Sequence, residues 1–245
     1  MIKNIIILLI IALNSLDAQV TQEWVAKYKD STTGTVYPAS VSVDNLGFIY
    51  VSGRCNAFNR SRYITFKYSN SGNLQWYRIY ESPYIFTFGD ADVVLKNVVD
   101  KDNNIYVTGY SYNDSNTDIV TIKYSSAGDS IWVKRYNGLA DGFDFPRDMV
   151  VDRYSNVYIT AISRGSSSDD YLTLKYDSTG NLLWNEVYVN GDVPNAMAID
   201  SSGNVYVTGQ SSSFFTTYLT VKYNNSGVLQ WVRTHGSARD AEGKS

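Results

Sequence analysis

One cysteine, one histidine and four prolines stand among 245 residues, and each scarcity removes a class of protein. The lone thiol, Cys55, has no partner for an internal disulfide, so the fold must be held by packing. The lone histidine, His235, leaves no second His or Cys for a His-based triad or a His/Cys zinc centre. Charge of one sign is also lacking: 21 basic against 24 acidic residues give −3. No basic cluster exceeds a pair, which argues against a nucleic-acid partner, because tracking phosphates takes clustered Lys and Arg. The longest apolar run, residues 5–13, has nine residues. A bilayer span needs about 20, so the chain is not expected to cross a membrane. No later stretch keeps a 3.6-residue period, which excludes helical solenoids.

What is abundant is tyrosine, 21 residues, within a chain rich in Ser, Asn, Gly and Thr. That composition reads as many short strands joined by polar turns. The first 18 residues read as a signal peptide: Lys3 is the positive end, residues 5–13 the apolar core, and Leu16-Asp17-Ala18 a cleavage site. The expected location is therefore secreted or cell surface, with residues 19–245 as the mature chain.

Self-similarity supplies the fold. Residues 43–53 recur at 99–109, 151–161 and 199–209, with Asp44, Asp100, Asp152 and Asp200 each six residues before a Tyr. A second segment follows each copy, a Thr-x-Lys-Tyr core holding Lys67, Lys123, Lys175 or Lys222. Eight residues after its Tyr comes Trp76, Trp132, Trp184 or Trp231. Gly/Asn/Asp/Ser turns of hairpin length join the pieces. Each unit is thus four antiparallel strands, A to D, over about 50 residues, the size of a propeller blade. The expected fold is an all-β propeller with units at 39–80, 93–136, 147–188 and 194–235. A long sandwich is the rival, but it would not need the same Trp and Tyr at fixed offsets.

Residues 23–28, led by Trp24, match the D strands and form an extra one. They are surplus unless another A–B–C set follows residue 235, so the array is expected to be incomplete, with further C-terminal blades as partners. The decamer Asp200-Ser201-Ser202-Gly203-Asn204-Val205-Tyr206-Val207-Thr208-Gly209 resembles the bacterial SBBP-type β-propeller repeat. The resemblance spans roughly residues 24–235. It implies an exported repeat module, with roughly seven blades in the full ring, and assigns no activity. Ala161 departs from it at the strand-B glycine, and Asn104 and Ser155 stand where a turn glycine is expected.

The repeated Trp reads as packing. Each strand-C lysine must reach the blade edge or meet an acid, for which the strand-A aspartates are the candidates. The A–B and C–D turns keep one length, whereas the D–A connections run 16, 20, 16 and 12 residues from Tyr28, Tyr80, Tyr136 and Tyr188 to the next repeated Asp. D–A and B–C connections leave one face, and variable loops on a rigid scaffold carry binding residues. Candidate ligand residues are Tyr84, Phe86, Phe88, Asp90, Asp92, Asp141, Phe143, Asp144 and Phe145. Their rings either stack on a sugar or an aromatic partner, or fold back between blades. Residues 100–104 imitate the start of a calcium loop but lack its glycine and its closing glutamate. No metal, cofactor or catalytic residue is expected. The expected function is binding of a protein or glycan. A carbohydrate-active enzyme using loop carboxylates is the alternative, and a purely structural spacer the third reading.

Overall fold

The structure is a computed structural model that describes residues 23–28, 34–57, 60–84, 92–138, 141–165, 169–189, 193–211 and 217–236. The signal segment and the candidates Phe86, Phe88 and Asp90 lie outside the described residues. Among those described, the secondary structure is strand throughout. Blade one holds β1 (Thr35–Val43), β2 (Ile49–Ala57), β3 (Arg60–Tyr68) and β4 (Leu74–Tyr80). Blade two holds β5 (Asp92–Val99), β6 (Ile105–Tyr112), β7 (Thr117–Tyr124) and β8 (Ser130–Tyr136). Blade three holds β9 (Asp144–Val151), β10 (Val157–Arg164), β11 (Asp169–Tyr176) and β12 (Leu182–Tyr188). Blade four holds β13 (Val193–Ile199), β14 (Val205–Ser211), β15 (Thr217–Tyr223) and β16 (Leu229–His235). Each blade is one antiparallel sheet in sequence order. The A strands meet from blade to blade, β1 on β5, β5 on β9 and β9 on β13, so the chain is an open run of propeller blades.

The Asp–Tyr spacing has a local cause. Asp44 Oδ1 accepts the amides of Leu46 and Phe48 at 2.9 Å, closing the A–B turn, and its Oδ2 accepts the Tyr50 hydroxyl at 2.9 Å. Asp100, Asp152 and Asp200 repeat the arrangement with Tyr106, Tyr158 and Tyr206. The third residue after each Asp turns left-handed: Gly47, Asn103, Ser155 and Gly203 have φ of 82°, 61°, 63° and 79°. The glycine equivalent in blade two is therefore Asn103, three residues after Asp100, and not Asn104 as expected above. Asn104 instead donates its side-chain amide to Asp100.

Every A strand carries a β-bulge, between Pro38 and Ser40, Val94 and Lys96, Pro146 and Asp148, or Pro194 and Ala196. Pairing resumes beyond it, which is why β1, β5, β9 and β13 start one to four residues before the expected unit boundaries.

Blades stack through a repeated hook. Trp76 Nε1 and Lys67 Nζ, from blade one, donate to the carbonyl oxygen of Ser126 in blade two at 3.1 and 2.8 Å. Trp132 and Lys123 do the same to Ser178 at 3.2 and 2.9 Å. Trp184 and Lys175 share the Asn225 carbonyl at 3.0 and 3.2 Å. Lys67, Lys123 and Lys175 therefore use the next blade's C–D turn as first partner. Lys123 alone among them comes within 4.0 Å of its strand-A aspartate, at 3.8 Å from Asp100. Burial pulls the Lys67, Lys123 and Lys175 pKa values down, and the nearby aspartates oppose that.

Residues 23–28 make no ladder, because no C strand stands beside them. Trp24 nevertheless donates to the Asn70 carbonyl at 2.9 Å, the hook position on blade one. Tyr28 packs on Phe66 and Tyr77, with centroids 4.6 and 5.4 Å apart.

Candidate functional site

The two faces of the run differ in chemistry. On the turn face a hollow of about 370 Å³ lies between the A–B turns of blades three and four, lined by Asp152, Asn156, Asp200, Ser202 and Asn225. Its two carboxylates are spent on turn amides and tyrosine hydroxyls. Hydrogen bonds from the Asn204 side chain and amide hold the Asp200 pKa down, to about 2. The calcium-like segment 100–104 is one of these turns. Among the described residues no group of three His, Cys, Asp or Glu is arranged for a metal ion.

The loop face departs from the repeat at blade two. Arg135 occupies the third position after Trp132, where the other blades carry Ile79, Val187 and Thr234. Its guanidinium donates to Asp118 Oδ2 at 3.0 Å, Ser111 Oγ at 2.7 Å, the Ser111 carbonyl at 2.9 Å and Ser82 Oγ at 3.2 Å. The Tyr84 ring lies 5.2 Å from its Cζ. One arginine thus ties β6, β7 and β8 to the D–A connection.

The candidate acids split into two depths. Asp92 and Asp144 open their A strands and are buried, each with Oδ1 lacking a hydrogen-bond partner. Burial pushes the Asp92 carboxyl up to about 6, against the hydrogen bonds of Ser111 and Ser82 and the charges of Arg135 and Arg60. Asp144 is raised by burial, with the charges of Asp118 and Asp141 adding to it, while Oδ2 accepts the Gly138 amide at 2.6 Å. Asp141, by contrast, is exposed. It is fixed in a left-handed conformation (φ 48°) by side-chain amides from Asn116 and Asn137 at 3.2 and 2.7 Å.

The candidate rings divide likewise. Phe145 meets Tyr110 of blade two edge-on at 5.0 Å and stacks on Phe143 at 6.1 Å, so it plugs the seam. Phe143 and Tyr84 remain partly exposed, each beside a guanidinium, Arg164 and Arg135. The surface therefore offers two rings, two arginines and one acid above a floor of buried carboxylates. Sequence reasoning missed Arg135, Asp118, Ser111 and Asn116. The break in the repeat at Arg135 was the available signal.

Residues 189–215 match the family model described as "Beta-propeller repeat" (SBBP), so the chain carries an SBBP-type repeat. Among curated proteins nothing matches. Of solved structures, a periplasmic gluconolactonase of Pseudomonas aeruginosa is similar with a TM-score of 0.52 and 14% identity. The match covers 82% of this chain and 58% of that enzyme, so the chain spans under two thirds of the enzyme's length. A protein of unknown function from Bacteroides caccae aligns with a TM-score of 0.49 at 8% identity, over 82% of this chain and 68% of that one. At such identities the likeness is one of fold.

Proposed function

We propose that this chain is an exported, non-enzymatic binding module, recognising a protein or glycan on the loop face around blade two, from Tyr84 before it to Phe143 after it. The observation that carries the reading is the local break in the repeat: Arg135 and its hydrogen bonds appear in one blade and brace the exposed ring Tyr84, while Arg164 stands beside the second exposed ring, Phe143. Repetition serves packing, so a braced departure from it on the variable face is where recognition belongs. Rings beside guanidinium groups and a fixed acid suit a sugar or an aromatic-bearing peptide. The apolar N-terminal run supports export, and the array is read as continuing beyond four blades.

Glycan and peptide arrays with the purified protein test this. Tyr84→Ala and Phe143→Ala should each weaken binding by about tenfold, near 1.4 kcal/mol, with the melting temperature unchanged. Unaltered binding in both variants defeats the assignment of the face. An extracellular carbohydrate-active enzyme is the second reading, favoured by the raised pKa of Asp92, which suits an acid or base near neutral pH. It requires turnover in a hydrolase screen that Asp92→Asn or Asp144→Asn abolishes. The Pseudomonas gluconolactonase makes lactones the first substrates to include.

A further inference from the structure

Three blade interfaces use one set of contacts, and a fourth copy of the donor side faces solvent. Each accepting carbonyl, of Ser126, Ser178 and Asn225, lies two residues after the C-strand tyrosine and two before a glycine. The preceding blade's indole lies on that glycine: a Cβ on Gly128, Gly180 or Gly227 would stand 2.9–3.0 Å from Trp76, Trp132 or Trp184.

A second pairing sits further in. The Tyr63 hydroxyl would come 2.6 Å from a Cβ at Gly109, and that of Tyr171 2.5 Å from one at Gly209. Blade two carries Ile119 at the tyrosine position, and there the following blade carries Ala161 in place of glycine. The blade's own A strand also crowds these glycines, since a Cβ at Gly53, Gly109 or Gly209 would stand 2.0–2.1 Å from the carbonyl oxygen of Tyr37, Val93 or Val193, whereas β9 keeps its bulge opposite Ala161. What changes along with the small residue is the side chain facing it.

On blade four Tyr218 holds this position, 73% exposed where Tyr63, Ile119 and Tyr171 are each 1%. Beside it lies a hollow of about 390 Å³ lined by Gly209, Gln210 and Thr217. Among the described residues neither Trp231 Nε1 nor Lys222 Nζ has a hydrogen-bond partner, while their counterparts in three blades share a carbonyl.

We infer that the open face of blade four is an inter-blade face whose occupant is a further repeat unit of this chain. That unit carries a glycine opposite Tyr218 and a Tyr-x-x-x-Gly turn whose carbonyl accepts from Trp231 and Lys222. This rests on the reading that the array continues, and it names the chemistry of the next unit. A second copy is the weaker fit. Its blade one offers Gly53 and the Asn70 carbonyl, but Trp24 already holds that carbonyl and lies 2.7 Å from a Cβ at Gly72.

The test extends the full chain. Residues 235–240 parallel residues 136–141, so a copy of residues 142–188 is joined after residue 240, once as it stands and once with Ala161→Gly in the copy. Fluorotryptophan NMR follows Trp231, whose signal is assigned with Trp231→Phe. The Gly-bearing extension should shield Trp231 from a soluble quencher and raise the melting temperature by several degrees, and the Ala-bearing one should do so less. A Gly-bearing unit that stays unfolded or leaves Trp231 equally quenched overturns the inference, as does equal docking by both.

Two measurements on the unextended chain add independent checks. Trp231→Ala should leave its melting temperature nearly unchanged while Trp132→Ala lowers it by many degrees, and equal losses overturn an open face. Self-association in sedimentation that Tyr218→Lys abolishes would make a second copy the occupant and overturn the choice of a further unit. Loss of ligand binding by Tyr84→Ala concerns the other face and leaves all these readouts unmoved.

Discussion

A carboxylate six residues ahead of a tyrosine does two jobs in every blade: one oxygen closes a turn and the other fixes a phenol. Asp100 is the most enclosed case. It also stands 3.8 Å from the buried Lys123, and the Tyr106 hydroxyl reaches onward to the Ser155 carbonyl at 2.9 Å. Asp100→Ala should therefore destabilise the protein by about 3 kcal/mol in urea unfolding, the cost of breaking a buried charge pair with its hydrogen bonds. Asp92 has the opposite sign. Its folded pKa, about 6, lies above the ordinary aspartate value of 3.8, so folding takes up a proton between those limits. The stability this group contributes rises as pH falls from 6 towards 4, and the full burial cost stands above pH 6. About two pKa units correspond to up to ~3 kcal/mol. Asp92→Asn should thus be the more stable protein at pH 8 by up to that amount, with the gap closing near pH 4. A gap that does not depend on pH would show that Asp92 is not buried as a carboxylate. The Asp–Tyr spacing was plain in the sequence, because its bonds join residues six apart. The burial of Asp92 was not, since Ser111, Arg135 and Ser82 come from three other segments.

At the scale of strands and turns, hairpin length and left-handed residues set each blade, and the indole of the preceding blade tightens the choice. Gly180 has φ 86° and a Cβ there would meet the rigid Trp132 ring at 3.0 Å, whereas at Gly203, φ 79°, it would meet the tip of the Asn225 side chain at 2.8 Å. Both pay the left-handed penalty of roughly 1–2 kcal/mol on gaining a Cβ. Gly180→Ala must also push a buried indole aside, so it should cost about 1 kcal/mol more than Gly203→Ala by thermal unfolding. Equal losses would mean that the hook does not bear on the turn. The existence of the turns was legible from Gly, Asn and Asp clusters. Their phase was legible too: the turn glycine stands three residues after Asp44 and Asp200, and the same offset from Asp100 lands on Asn103, which the expectation of Asn104 missed by one residue. The bulges were silent, because an extra residue in an A strand changes pairing without changing composition.

Across the whole molecule, stability sums blade and interface contributions as in other repeat arrays, so the ends of the described run should open first. Strands β6, β7, β10 and β11 are buried along nearly their whole length, whereas β1 and β14–β16 show exposed or half-exposed residues. Hydrogen exchange should be slowest in β6, β7, β10 and β11 and distinctly faster in β1 and β14–β16. Uniform protection across the four blades would contradict independent interfaces. Trp132, buried between blades two and three, should cost about 3–5 kcal/mol on truncation to Ala. Its repeated position in the sequence already marked it as packing.

The sequence by itself determined four blades, their strand order, the aspartate–tyrosine turns and the face that carries variable loops. These follow from hydrogen bonds and alternation within some ten residues, which leave a periodic record in the chain. Tertiary structure alone decided that the strand-C lysines seek a carbonyl on the next blade before an acid. It also decided that two candidate carboxylates lie beneath the surface, and that tyrosines alike in sequence are enclosed in blades one and three and open in blade four. The lysine and tyrosine contacts join residues roughly forty to sixty apart in the chain, and stacking, which depends on which blade has a neighbour, brings them together.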